Sequence, residues 1–143
     1  MRLFYEKNDI TKYDYKNVLY IAYVGKYDNK KIYKYGKSCN IYEREYMKHR
    51  KTFEKFKMCY IKISDNKDII ETLFEKELKI RNIHTNLKIN KRNQTELFYV
   101  NKKYSLKYII NLLNRLAANN ETAEIKRLKA KLKLANIKLK YLI

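Results

Sequence analysis

At 143 residues, with 45% of them hydrophobic, the chain has the length of one domain and enough apolar mass to fill a core. It carries 34 Lys and Arg against 15 Asp and Glu, a net charge of +19, and a field of that sign favours a polyanionic partner. No apolar run approaches the ~18 residues of a membrane span, and "MRLFYEKNDI" lacks an apolar signal core, so the expectation is an intracellular chain, in the cytoplasm or nucleus of a host cell, that is neither secreted nor membrane-bound.

The elements follow in chain order. Residues 1–17 are polar and Tyr-rich and read as a lead-in segment. "VLYIAYVG" (18–25) is apolar, aromatic and β-branched, which predicts a buried strand. Asp28 and Asn29 supply turn chemistry, and "IYKYG" (32–36) makes the second arm of a hairpin. "SCNIYEREYMKHRKTFEKF" (38–56) contains no breaker and has Ser38 or Asn40 to cap it, so one helix is expected over its length. "KMCYIKI" (57–63) predicts a third strand. "NKDIIETLFEKELKIRN" (66–82) predicts a second helix, with Ile70, Phe74 and Leu78 along one stripe. Residues 84–95 read as a polar connection and "ELFYV" (96–100) as a short strand. "SLKYIINLLNRLAANN" (105–120) predicts a third helix that stops at its Asn pair, and 121–143 a fourth. The class is α+β: a small antiparallel or mixed sheet flanked by helices, with a helical C-terminal extension over 101–143. Cys39 and Cys59 have no metal-ligand spacing and read as reduced thiols.

The last segment has its own character. Ile125, Leu128, Leu132, Ala135, Leu139 and Leu142 follow 3-4 spacing, and Leu134, Ile137 and Tyr141 form a second stripe. From Ile125 onward there are seven Lys or Arg and no acid. In a parallel homodimer Lys129, Lys131 and Lys138 would repel their counterparts. Packing on the chain's own domain and self-association or a protein partner through 121–143 are therefore all open.

The charge has two readings. An AT-rich coding sequence explains Lys, Asn and Ile, but does not remove Asp and Glu, so nucleic acid is the preferred partner. DNA is the first expectation, with RNA the alternative. Aromatic residues interleaved with Lys suit single strands as well.

"VLYIAYVG", "YKYGKSCNIYER", "IIETLFEKEL" and "TELF" together resemble the GIY-YIG endonuclease superfamily, in the divergent branch of large DNA viruses and phages. The likeness spans about 18–100, which marks that stretch as a GIY-YIG-like domain. Its most specific element is Gly36 followed by Lys37, Asn40 and Arg44. Leu19–Tyr20 stands in the first motif without that motif's glycine. Lys34-Tyr35-Gly36 stands in the second, with Lys34 in the place of a tyrosine.

The resemblance implies phosphodiester hydrolysis with one divalent metal, Mg or Mn. Tyr20 would activate or position water, with Tyr23 as a backup on the same strand. Arg44 would meet the phosphate, for which its forked donors are suited. Gly36 would let the backbone turn from strand to helix close to the substrate. Glu71 is the first candidate for the metal and Glu77 the second, because Glu77 falls in the middle of the apolar stripe by helical phase. His49 is either a second acid or base or a solvated end-of-helix side chain. Tyr35, Gly36, Lys37, Asn40, Lys48, Arg50 and Lys51 would line the nucleic-acid path. Glu96 matches a feature of the viral branch to which the residues themselves assign no role. Three functions follow: a metal-dependent DNA endonuclease, a catalytically weakened GIY-YIG-like DNA-binding module, and an interaction protein that engages an acidic partner through its basic tail.

Overall fold

The computed structural model describes residues 10–120 and 123–142; the side chains of Arg44 and of residues 123–126, 129 and 138–142 lie outside the described part. Strands β1 (Val18–Tyr27) and β2 (Lys30–Ser38) form the expected hairpin. Its turn residues, Asp28 and Asn29, have φ of 52° and 62°, the left-handed geometry that joins two twisted strands in two residues. β3 (Lys57–Ile63) pairs with the outer edge of β1. β5 (Arg92–Tyr99) pairs with β2, and β4 (His84–Ile89) with β5. The sheet order is β3-β1-β2-β5-β4, with every neighbour antiparallel. The fold is thus α+β, with a five-stranded antiparallel sheet flanked by helices.

Alternation along β1 and β2 divides the core in two. Leu19, Ile21, Tyr33 and Tyr35 face one side. There they meet Ile70, Phe74 and Leu78 of helix α2 (Lys67–Ile80) and Ile109 and Leu113 of helix α3 (Leu106–Asn119). Tyr35 and Phe98 both meet the Phe74 ring edge-on. Ser105 caps α3 by accepting from the Tyr108 N–H at 3.1 Å, as a Ser-led helix start predicts. Val18, Tyr20, Ala22, Val24 and Ile32 face the other side. Ile10, Ile41, Phe53 and Phe56 cover them there.

Three local expectations change. The helix expected over 38–56 is a π-helical stretch, Ile41–Tyr46, that runs into a short α-helix, Met47–His49; together they are α1. The chain then turns, with the Thr52 and Phe53 N–H groups both donating to the His49 carbonyl, so that Phe53 and Phe56 fall under the sheet. Neither Ser38 nor Asn40 caps this helix through its side chain. Asp14 does so from the lead-in segment, accepting from the Tyr42 N–H at 2.9 Å. The polar connection expected over 84–95 is mostly strand: β4 and the start of β5 form a hairpin around Asn90 and Lys91, with φ of 51° and 64°. Leu87 and Ile89 give that hairpin its apolar side. The tail is helix α4 (Ala123–Leu142), but Leu128, Leu132, Leu134 and Ile137 are exposed, which corrects the alternative that it packs on its own domain. Among the described residues no helix is long and apolar enough to cross a membrane.

Candidate functional site

A polar cleft of about 340 Å³ opens beside the strand ends of β1 and β2, between α1 and α2. Tyr20, Lys34, Lys37, Lys48, His49 and Glu71 line it, all anticipated from the sequence. So do Glu96, singled out from the sequence without a role, and Glu45 and the β5 segment from Asn93 to Thr95, which were not anticipated.

Tyr20 is the deepest member. It lies opposite Gly36 in the β1–β2 register, and a Cβ built on Gly36 would stand 2.7 Å from its hydroxyl oxygen. Gly36 is therefore required by close approach. It sits inside β2 and makes no strand-to-helix turn, which corrects the expectation for it. Tyr20 Oη donates to Glu45 Oε2 at 2.8 Å, and His49 Nε2 lies 2.9 Å from the same oxygen. Burial first, and then the Glu45 carboxylate, push the Tyr20 phenol well above its ordinary range. At neutral pH it keeps its proton and acts as a donor. Burial pushes Glu45 up, but hydrogen bonds from His49 and Tyr20 outweigh it and hold the carboxyl below its ordinary value.

Lys34 is almost fully buried, an expensive place for a charge without a partner. Glu96 supplies one, at 3.4 Å. This gives the acid of "TELF" a physical role: it neutralises the lysine that stands in the place of a tyrosine. Lys37 reaches α2, 2.7 Å from Asp68 and 3.8 Å from Glu71.

Glu71 is the group under most tension. One of its oxygens, Oε2, is buried with no hydrogen-bond partner. Burial and then the neighbouring Glu96 raise its pKa to about 7, against the opposing pull of Lys37 and Lys34. A cleft-lining carboxyl with one oxygen left unpartnered suits a small hard cation, which typically takes one or two carboxylates and fills its shell with water and substrate phosphate. Among the described residues no group of three or more His, Cys, Asp or Glu side chains is placed to hold a metal ion.

Other sequence candidates lie elsewhere. Glu77 is on another side of α2, paired with Arg81, whose guanidinium also donates to Tyr108 Oη; its charge is met without a metal. Tyr35 faces the apolar core, with its hydroxyl 2.9 Å from His84 Nε2. Asn40 is half-buried just before α1, its N–H donating to Ser38 Oγ and its Oδ1 without a partner. Arg50 and Lys51 are exposed beyond the end of α1. Arg44 lies on the π-helical stretch, and its side chain is outside the described part. Cys39 and Cys59 are not joined in a disulfide.

Glu45 had one signal in the sequence, its position four residues before His49, the spacing that stacks two side chains on one helix face. Compared with protein-family models, curated proteins and solved structures, the chain matches none of them.

Proposed function

We propose that this cleft binds a nucleic-acid backbone, DNA before RNA, and hydrolyses its phosphodiesters with one divalent cation, Mg or Mn, held at Glu71, as a GIY-YIG-type endonuclease. The observation that carries the reading is convergence: Tyr20, Lys34, Lys37, His49 and Glu71 come from separate stretches of chain and line one cleft, with an unpartnered carboxylate oxygen among them. When bound, the cation would supply Lewis acidity at a phosphate oxygen. The chain's own residues would do the rest. Lys37 and Lys48 hold the phosphate backbone, with Arg44 beside them in sequence. Glu45, which accepts from Tyr20 and lies against His49, makes that pair the proton-accepting centre. Tyr20 orients the pair as a neutral donor, so the water-activating role assigned to it from the sequence passes to His49 and Glu45.

Nicking of plasmid, branched and single-stranded DNA, and of RNA, with and without Mg or Mn, tests this. The wild type is expected to cut only with metal. Glu71→Gln is expected to lose roughly 10²–10³ in rate while binding is retained, because the loss falls on charge developing in the transition state. Affinity is expected to fall steeply with salt, as phosphate contacts by Lys and Arg require.

A second reading, a DNA-binding module that has lost cleavage, is favoured by Lys34: it stands where the superfamily has a tyrosine and is tied to Glu96. Binding without cutting in either metal would select it. Cutting restored by Lys34→Tyr would trace the loss to that position.

A further inference from the structure

Past its short pairing with β2, the β4–β5 hairpin runs on as a two-stranded ribbon. β5 meets β2 from Leu97 to Tyr99, opposite Lys34 to Ile32. Before that point the hairpin pairs with itself, Leu87 with Gln94, Lys88 with Asn93 and Ile89 with Arg92, and it closes through the turn at Asn90 and Lys91. Leu87 and Ile89 anchor one side of it on the core, and Asn90 Nδ2 donates to the Thr52 carbonyl at 3.3 Å. Lys88, Lys91, Arg92 and Asn93 are exposed at its end. Asn93, Gln94 and Thr95 also line the cleft, so ribbon and cleft share one wall.

Composition decides what the ribbon can meet. From His84 to Thr95 the chain has no acid. Among the described residues Lys88, Lys91 and Arg92 are in no ion pair. A lysine on an edge strand deters pairing with other chains, which accounts for Lys88 but not for the two cations and two amides that follow the turn's first residue. From Asn86 to Thr95 there is also no aromatic side chain. Single-stranded nucleic acid is held largely by stacking bases on aromatic rings, which this ribbon cannot do. A two-stranded ribbon does fit the major groove of B-form DNA, about 12 Å wide, where amide and guanidinium groups pair with purine edges. The major groove of duplex RNA is too narrow to be read in that way.

We propose that the β4–β5 hairpin reads sequence in the major groove of duplex DNA. This rests on the reading of the cleft as a nucleic-acid backbone site and deepens it by naming the duplex as the form that is bound. With the backbone in the cleft, the ribbon continues from the same wall into the adjoining groove. Lys88 and Lys91 hold phosphates beside the groove, while Arg92 meets a guanine edge and Asn93 an adenine edge.

Fluorescence anisotropy on the full chain, in EDTA so that nothing is cut, tests it, with circular dichroism to show that each variant keeps its fold. Sequences bound from a randomised duplex pool are selected and read first. The wild type is expected to enrich a short motif containing guanine and adenine. It is also expected to bind that duplex more tightly than either single strand or the RNA duplex of the same sequence. Arg92→Ala and Asn93→Ala are each expected to lose about tenfold to a hundredfold on the selected duplex, the discrimination of one bidentate base contact. Asn93→Ala, which changes no charge, should bind the random pool within about twofold of wild type. Lys88→Ala and Lys91→Ala should weaken all duplexes alike, each lowering the salt slope by about one. Duplex binding with no enriched motif overturns the inference while the backbone-binding reading stands. A motif that Arg92→Ala and Asn93→Ala both leave unchanged overturns it too. A chain that selects a motif through these residues but cuts nothing with metal retains this inference and loses only the nuclease. Binding of no nucleic acid at all overturns both.

Discussion

On β2, Tyr33 and Tyr35 point to one face of the sheet, and Lys34 and Gly36 point to the other. The first face is closed by α2 and α3 into an aromatic and aliphatic core. The second carries a buried lysine, a buried phenol and a carboxylate shared by tyrosine and histidine. The same four consecutive residues serve a core and a polar cleft by alternation alone. The first face tolerates change in proportion to volume lost. The second depends on partners, Lys34 on Glu96 and both Tyr20 and His49 on Glu45.

Substitutions that treat the two faces alike should expose the difference. The largest effect is expected on the closed face: Phe74→Ala leaves a cavity among Tyr35, Phe98 and the α2 stripe and should cost about 3–5 kcal/mol in a urea melt, with no selective effect on the cleft. On the open face, Gly36→Ala forces a methyl against the Tyr20 ring, and overpacking of this kind costs about 1–3 kcal/mol. It should also pull Tyr20 from Glu45, so that cleavage or binding in the cleft falls further than stability does. Equal losses would show that the two faces are not functionally distinct.

The next effect depends on pH. Glu71 in the folded chain titrates near 7, against 4.5 ordinarily, so between those values the folded state binds more protons than the unfolded one. The associated stability is present below about pH 4.5 and is lost as pH rises through 7. Glu71→Gln should therefore be more stable than wild type at pH 8, by on the order of 1–2 kcal/mol, and level with it near pH 4.5. Melting curves across this range check it. Glu45, shifted the other way, acts only in the acid range below its ordinary value and does not overlap. Addition of Mg should lower the apparent Glu71 pKa and flatten the slope if the cation sits there. The smallest effect is expected from Tyr20→Phe, which removes one hydrogen bond to a carboxylate still held by His49 and should cost about 1 kcal/mol. A loss above ~3 kcal/mol, well beyond one hydrogen bond, would mean that the phenol supports the sheet itself.

Much of the fold was legible because its signals are local. The β1–β2 hairpin announces itself by an apolar run, the Asp28–Asn29 turn and a second apolar run. The α2 stripe of Ile70, Phe74 and Leu78 is read within a few turns of helix, and so is the helix over 105–120. Each is set by residues adjacent in the chain or one turn apart. The β4–β5 hairpin was hidden because its residues are mostly polar and its apolar side is only Leu87 and Ile89. Its turn residues, Asn90 and Lys91, lack the glycine that usually marks a two-residue loop.

By itself the sequence determined the class, the central hairpin, the core stripe of α2 and the residue types from which a phosphate-directed site could be built. Only the tertiary structure decided which of them meet. Register set Gly36 opposite Tyr20, and a chain passing 28 residues away brought Asp14 to cap α1. The pairing of β2 with β5 carried Glu96 to Lys34, and helical phase turned Glu71 into the cleft and Glu77 away from it. The reason is physical: periodicity and turn chemistry act over a few residues, whereas a buried charge is satisfied by whichever group the packed sheet brings within about 3–4 Å, however distant in sequence.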